Sequence, residues 1–247
     1  MIDTSVVLIV VATFLLAGCV KGVIGLGLPT VSLALLTVSV GFPEAMNLLL
    51  VPSLITNIWQ AAVGGNGRVI VRRIWPFLVM ATAAIWLGSH VLTRVDLSVL
   101  SGLLGLLLVI YATVSMAGYK ITINARQEVW AGPLFGIMNG FLTGMTGSFV
   151  VPGVLYLQAL GLTRDMLIQA MGMLFTASTL ALAFALLQSE LLNTDLSVLS
   201  TAALIPALIG MVFGQRIRKK LPEDTFRRVF FIALLILGIY IIATGLW

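Results

Sequence analysis

Charge is scarce in this sequence. The 247 residues include 9 acidic and 14 basic side chains, so that 9% of the chain is charged, where a soluble domain carries about a quarter. Such a chain cannot cover a globular surface with polar groups, which excludes an ordinary soluble domain. Cysteine and histidine occur once each, as Cys19 and His90. A single thiol excludes an internal disulfide, and a single imidazole excludes a histidine-cluster metal site. No carboxylate pair falls mid-span, and neither G-x-S-x-G nor G-x-x-x-x-G-K-[ST] occurs. The strained nucleophile turn of a hydrolase and the phosphate cradle of an ATPase are therefore missing. The chain reads as no enzyme, with no cofactor and no metal.

What the chain has is apolar length. Hydrophobic residues make up 60% of it, and the mean hydropathy is +1.14. Spans of roughly 20 apolar residues cross a bilayer, so the composition predicts a polytopic, multi-pass membrane protein. The formal charge of +5 then bears on loop orientation, and no nucleic-acid partner is expected. "LLAGC" at 15–19 resembles a lipoprotein cleavage site, but the preceding "MIDTS" has no basic residue, as a signal peptide requires. The stretch is read as a first membrane segment.

Apolar segments, each expected to be helical, run over 5–21, 28–40, 45–63, 74–92, 97–117, 130–146, 149–160, 166–188, 196–215 and 229–246. Two of them, 28–40 and 149–160, are short. Each follows a glycine-rich break and opens near a proline, Pro29 or Pro152, a residue that suits the first turn of a helix.

The breaks belong to a repeat. "GCVKG" at 18–22 matches "GIMNG" at 136–140, which makes Asn139 the counterpart of Lys21. "GLGLP" at 25–29 and "GMTGSFVVP" at 144–152 follow, then the turns "VGFPEA" and "LGLTRD". The expected organisation is a first repeat over 1–116, a cytoplasmic linker over 117–129 and a second repeat over 130–247. Loop charge decides their relative sense. If each broken segment crosses once, the loop cations split five against eight; if each goes in and comes back, they split twelve against one, with only Arg94 outside. Cytoplasmic loops collect Lys and Arg. The fold class expected is all-α with two inverted-topology repeats. Each repeat has a broken or re-entrant first segment, and there are about 8–10 membrane segments in all. Both termini would lie outside, in a bacterial inner (plasma) membrane.

An unwound stretch at membrane depth must be buried in protein or line a wet cavity. A helix starting there presents N–H groups and a positive dipole end, which suits an anion. The candidate substrate-binding residues are therefore Lys21, Gly25, Gly27, Asn139, Gly144, Gly147 and Ser148 at the breaks. Ser53, Asn57 and Gln60, together with Thr56, lie on one helix face, and Gln169 and Thr176 form a looser stripe in the matching segment. Glu44 and Arg164, in the turns after the short helices, are candidates for coupling. Competing structural readings accompany each. Glycines four apart, at 18 and 22 and from 132 to 144, let helices touch; Ser, Thr, Asn and Gln also bond helix to helix; Lys21 could snorkel to the interface.

The stretches "KGVIGLGLPTVSLAL" and "GFPEAMNLLLVPSLITN", paired with "NGFLTGMTGSFVVPGVLYLQALGLTRDMLIQA", resemble the TauE/SafE family of sulfite and organosulfonate permeases over nearly the whole chain. The glycine run at the first break is interrupted here by Leu26 and Leu28. The resemblance implies an inner-membrane permease for a small sulfur-containing anion such as sulfite, sulfoacetate or a related sulfonate, as exporter or importer. Alternating access is the expected mechanism; a passive anion pore and a non-transporting scaffold subunit are the alternatives. The expected partners are the small anion, membrane lipid and, as an assembly to test, a homodimer.

Overall fold

In the computed structural model, residues 3–118, 122–218 and 223–245 are described. They form an all-α protein, 85% helical and without strands among the described residues. The helices are α1 (Thr4–Ile24), α2 (Leu28–Ser39), α3 (Phe42–Leu48), α4 (Leu50–Ala62), α5 (Gly67–Leu92), α6 (Leu97–Ala117), α7 (Ala125–Thr146), α8 (Gly153–Ala159), α9 (Arg164–Gln188), α10 (Thr194–Arg218) and α11 (Glu223–Gly245). Six of them, α1, α5, α6, α9, α10 and α11, are long and apolar enough to cross a membrane, and α2 is a shorter apolar helix. The chain is a multi-pass membrane protein.

The helices sort into two units. One holds Met1–Ser53, Leu97–Gly118 and Leu191–Trp247; the other holds Leu54–Asp96 and Tyr119–Glu190. In the first unit α1 and α10 run parallel with their backbones touching. A Cβ on Gly18 would strike the Ala207 carbonyl, on Gly22 the Met211 carbonyl, on Gly210 the Leu15 carbonyl and on Gly214 the Cys19 carbonyl. α6 and α11 cross antiparallel, with a Cβ on Gly105 falling 2.7 Å from the Gly238 carbonyl oxygen. α2 folds back along α1, so that Leu16, Val20, Val31 and Leu35 line one apolar groove of about 540 Å³ with α11.

The second unit repeats this device. α5 and α7 run parallel, and a Cβ on Gly136 would lie 2.6 Å from the Phe77 carbonyl oxygen. On Gly140 it would strike the Ala81 carbonyl, on Gly144 the Ile85 carbonyl and on Gly88 the Phe141 carbonyl. α9 closes against the end of α4, where a Cβ on Gly172 would lie 2.6 Å from the Ala61 nitrogen. Lipid tails are as apolar as the helix surfaces, so association depends on such close packing rather than on water exclusion.

These contacts give a different repeat register from the one read in the sequence. Gly18 sits on Ala207 as Gly140 sits on Ala81, and Gly22 on Met211 as Gly144 on Ile85. Gly18 therefore corresponds to Gly140, Gly25 to Gly147 and Lys21 to Thr143, one helical turn beyond the Lys21–Asn139 pairing. The apolar run 45–63 also differs, since it divides at Leu49 into α3 and α4. Pro52, expected to kink this span, has no N–H to give the Leu48 carbonyl, and α10 fills the gap. Ser200 Oγ donates to the Leu48 carbonyl at 2.7 Å and accepts from Val51 N at 3.2 Å, taking over two backbone groups of the helix ladder.

Candidate functional site

The first break follows from its glycines. α1 stops at Gly25, in the left-handed region at φ 80°, whose N–H donates to the Lys21 carbonyl at 2.8 Å. Gly27 at φ 107° opens α2, with Pro29 in its first turn and the Gly27 carbonyl accepting from Val31 N at 2.8 Å. An L side chain rarely takes either conformation. Lys21 lies one turn before the break and is 4% exposed. It is therefore a buried residue of unit one and does not reach out along the helix to water.

The second break has the same helix stop and a fuller polar lining. α7 ends at Gly147, φ 69°, whose N–H donates to the Thr143 carbonyl at 2.8 Å. The Thr143 hydroxyl spans the break, donating to the Ser148 carbonyl at 2.8 Å. Thr146 Oγ1 accepts from Ser148 N at 3.2 Å. Asn139 Oδ1 accepts from Gly153 N at 2.8 Å, so α7 caps the start of α8. Helix α8 begins only at Gly153, so 149–152 is extended chain and turn rather than helix. Asn139 and Ser148 are buried, and Asn139 Nδ2 and Ser148 Oγ have no hydrogen-bond partner among the described residues. Two buried donors beside an opened backbone are costly unless a ligand or water takes them.

The polar stripes have other duties. Ser53, Thr56, Asn57 and Gln60 are all buried, as their shared face predicts. Gln60 Nε2 donates to the Ile168 carbonyl at 2.7 Å, and Gln169 answers by donating to the Ala61 carbonyl at 2.9 Å and accepting from Asn66 N at 3.1 Å. These two amides join α4 to α9. Thr176 turns its hydroxyl back to the Gly172 carbonyl at 2.7 Å. Gly144 is accounted for by its packing on α5. Glu44 is half-buried in the first turn of α3, and Arg164 opens α9 as an exposed residue.

One polar contact carried no sequence signal. Arg73 on α5 forms a two-pronged ion pair with Glu128 at the start of α7, with Nε 2.9 Å from Oε2, and its Nη2 also donates to the Leu160 carbonyl at 2.9 Å. It ties both ends of the broken segment to α5. The partners are 55 and 87 residues away, so no local spacing reveals them.

The chemistry offered at the breaks is that of donors and positive charge: an ammonium in one unit, a carboxamide N–H and a hydroxyl in the other. Such groups complement an oxyanion. Among the described residues there is no cluster of metal-ligating side chains. No curated protein and no solved structure matches the chain. The family model described as sulfite exporter TauE/SafE matches residues 10–241, nearly the whole length. The chain belongs to the TauE/SafE sulfite exporter family.

Proposed function

We propose that the protein is a secondary permease for a small sulfur-containing oxyanion: sulfite, sulfoacetate or a related sulfonate. Family membership supports a membrane transporter of sulfur anions. The single observation that carries the finer reading is the pair of buried donors at the second break, Asn139 Nδ2 and Ser148 Oγ, that have no partner among the described residues. A scaffold has no use for them, since each unpaired buried donor costs about 1–3 kcal/mol. An oxyanion that docks there gains charge-assisted hydrogen bonds, which are roughly twice as strong as neutral ones. Within unit one, Lys21, Gly25 and Gly27 at the first break offer positive charge and close backbone approach of their own. Ser53 and Asn57 supply further hydroxyl and amide groups, the Thr176 hydroxyl being turned to the Gly172 carbonyl, and Glu44 and Arg164 are the candidates for coupling. The assembly we propose is a homodimer in a bacterial inner membrane.

Two inverted halves with both termini outside fit the fold within unit one. α2 returns along α1, and Ser115 and Met116 of α6, with Gly118 just beyond it, line one pocket with Arg227, Arg228 and Phe231 of α11. α6 therefore ends where α11 begins, which a re-entrant first segment requires.

The test is flux into proteoliposomes. Labelled sulfite or a small sulfonate should enter saturably, and preloaded unlabelled anion should accelerate entry, as a carrier with alternating access demands and a pore does not. In parallel, a true ligand at a hundred times its dissociation constant should stabilise the purified protein by about 2.7 kcal/mol. If carboxylates or phosphate move and no sulfur oxyanion does, the substrate class is wrong.

A further inference from the structure

A polar pocket lies within unit one, at the end of the α6–α11 pair. It holds about 350 Å³ and is lined by Ser115, Met116, Gly118, Arg227, Arg228 and Phe231. Its depth is set by the helices. α6 finishes its apolar run at Ala117, and the apolar span of α11 runs from Thr225. Both arginines thus stand in the first turn of a membrane-spanning stretch, at the boundary where lipid headgroups lie.

The pocket is built around its cations. The Arg227 guanidinium lies 5.7 Å over the Phe231 ring. Phe231 in turn meets the fully buried Tyr111 edge-on, with ring centroids 5.3 Å apart. This stack props the guanidinium at the pocket mouth and limits its rotamers. Ser115 Oγ, one turn after Tyr111 on α6, is buried and has no partner among the described residues. No acidic residue is among the described residues that line the pocket. The carbonyl end of α6 opposes an anion here, and the amide end of α11 offsets it.

We propose that this pocket binds a phosphate group, with Arg227 and Arg228 paired to its oxygens and the Ser115 hydroxyl donating to a third. Guanidinium forks match phosphate geometry, and basic pockets between membrane helices hold anionic headgroups. The phosphate comes from an anionic phospholipid or from a free ion, and these two sources are separable.

Purified protein in neutral detergent is titrated with short-chain phosphatidylglycerol, with short-chain phosphatidylcholine and with inorganic phosphate, and binding is read by thermal shift. Phosphatidylglycerol should stabilise the parent at concentrations where phosphatidylcholine does not. Replacing both arginines, R227Q with R228Q, should raise the lipid concentration needed by at least tenfold. Ser115→Ala should raise it about threefold, and Arg94→Gln, remote from the pocket, should leave it unchanged. Inorganic phosphate giving the same shifts with the same dependence on the variants assigns the site to the free ion; phosphatidylglycerol alone doing so assigns it to the lipid. Parental binding in the double variant overturns the proposal. So does an equal loss in Arg94→Gln, which would mark diffuse attraction to net charge. Should the double variant fail to fold, R228Q alone and Ser115→Ala carry the same test, and parental binding in both overturns it.

Discussion

Among single residues, Asn139 separates stability from the proposed binding. Its Oδ1 caps Gly153 N, while its Nδ2 has no partner among the described residues. Asn139→Leu should lower stability by about 1–3 kcal/mol, because it orphans a buried N–H. Asn139→Asp keeps the acceptor and replaces the donor with negative charge. It should lose anion-induced stabilisation and also lower the melting midpoint, because a buried carboxylate oxygen with no partner is costly; an Asp variant that binds the anion normally would remove Nδ2 from the site. Lys21→Met should weaken anion binding at least tenfold, about 1.4 kcal/mol, with Lys21→Arg milder, as titration calorimetry would read. Normal binding by Lys21→Met would leave the buried ammonium a structural group. Gly27→Val and Gly147→Val force a β-branched side chain into the left-handed region at φ 107° and 69° and should abolish flux. Gly102 is the fitting control, because a Cβ there meets nothing within 4 Å. Gly238 is not, since it touches Gly105 across the α6–α11 crossing. Flux through Gly27→Val and Gly147→Val at the rate of Gly102→Val would show that the breaks serve packing alone.

At the scale of elements, the helices and both breaks were legible because their signals are local: apolar runs, and Gly and Pro at positions that stop and start a helix. What lay hidden was pairing. The glycines at 132, 136, 140 and 144 repeat every four residues, so a match one turn short still aligns two of them. The match that also sets Gly25 on Gly147 agrees with the carbonyl contacts of Ala81 and Ala207. The division of α3 from α4 was half legible: Pro52 has no N–H for the Leu48 carbonyl, a local signal for a kink, whereas the serine on α10 that takes that carbonyl lies 152 residues away. Half of the candidate site stood out as glycine and lysine beside a break. The duty of Gln60 and Gln169 as bonds between α4 and α9 did not, because a buried glutamine reads alike whether it meets a ligand or a carbonyl. The Arg73–Glu128 latch gives a prediction at this scale. A double-mutant cycle with Arg73→Gln and Glu128→Gln, followed by thermal unfolding in detergent, should return a coupling of about 0.5–1 kcal/mol, as a two-pronged but partly exposed pair warrants. No coupling would mean that the Leu160 carbonyl alone holds Arg73.

For the whole molecule, the inverted reading makes a topological statement that can be checked within unit one. α6 and α10 both run toward the end where α11 begins, so single cysteines at Met116 and Arg218, in a Cys19→Ser background, should be labelled from the same side of the membrane. Labelling from opposite sides would restore single-crossing broken segments and remove the inverted halves. The parallel glycine pairs also set a timetable for synthesis. Gly18 waits for Ala207, 189 residues later by their numbers, whereas Ala81 meets Gly140 after 59. At 5–20 residues per second the first wait lasts roughly 10–40 s and the second roughly 3–12 s. The newborn α1 must therefore sit in lipid with its glycine seam bare while the α5–α7 pair closes behind it. A ribosome that stalls before α10 leaves a chain whose first helix has no mate, and quality-control proteases that scan the membrane would find it there.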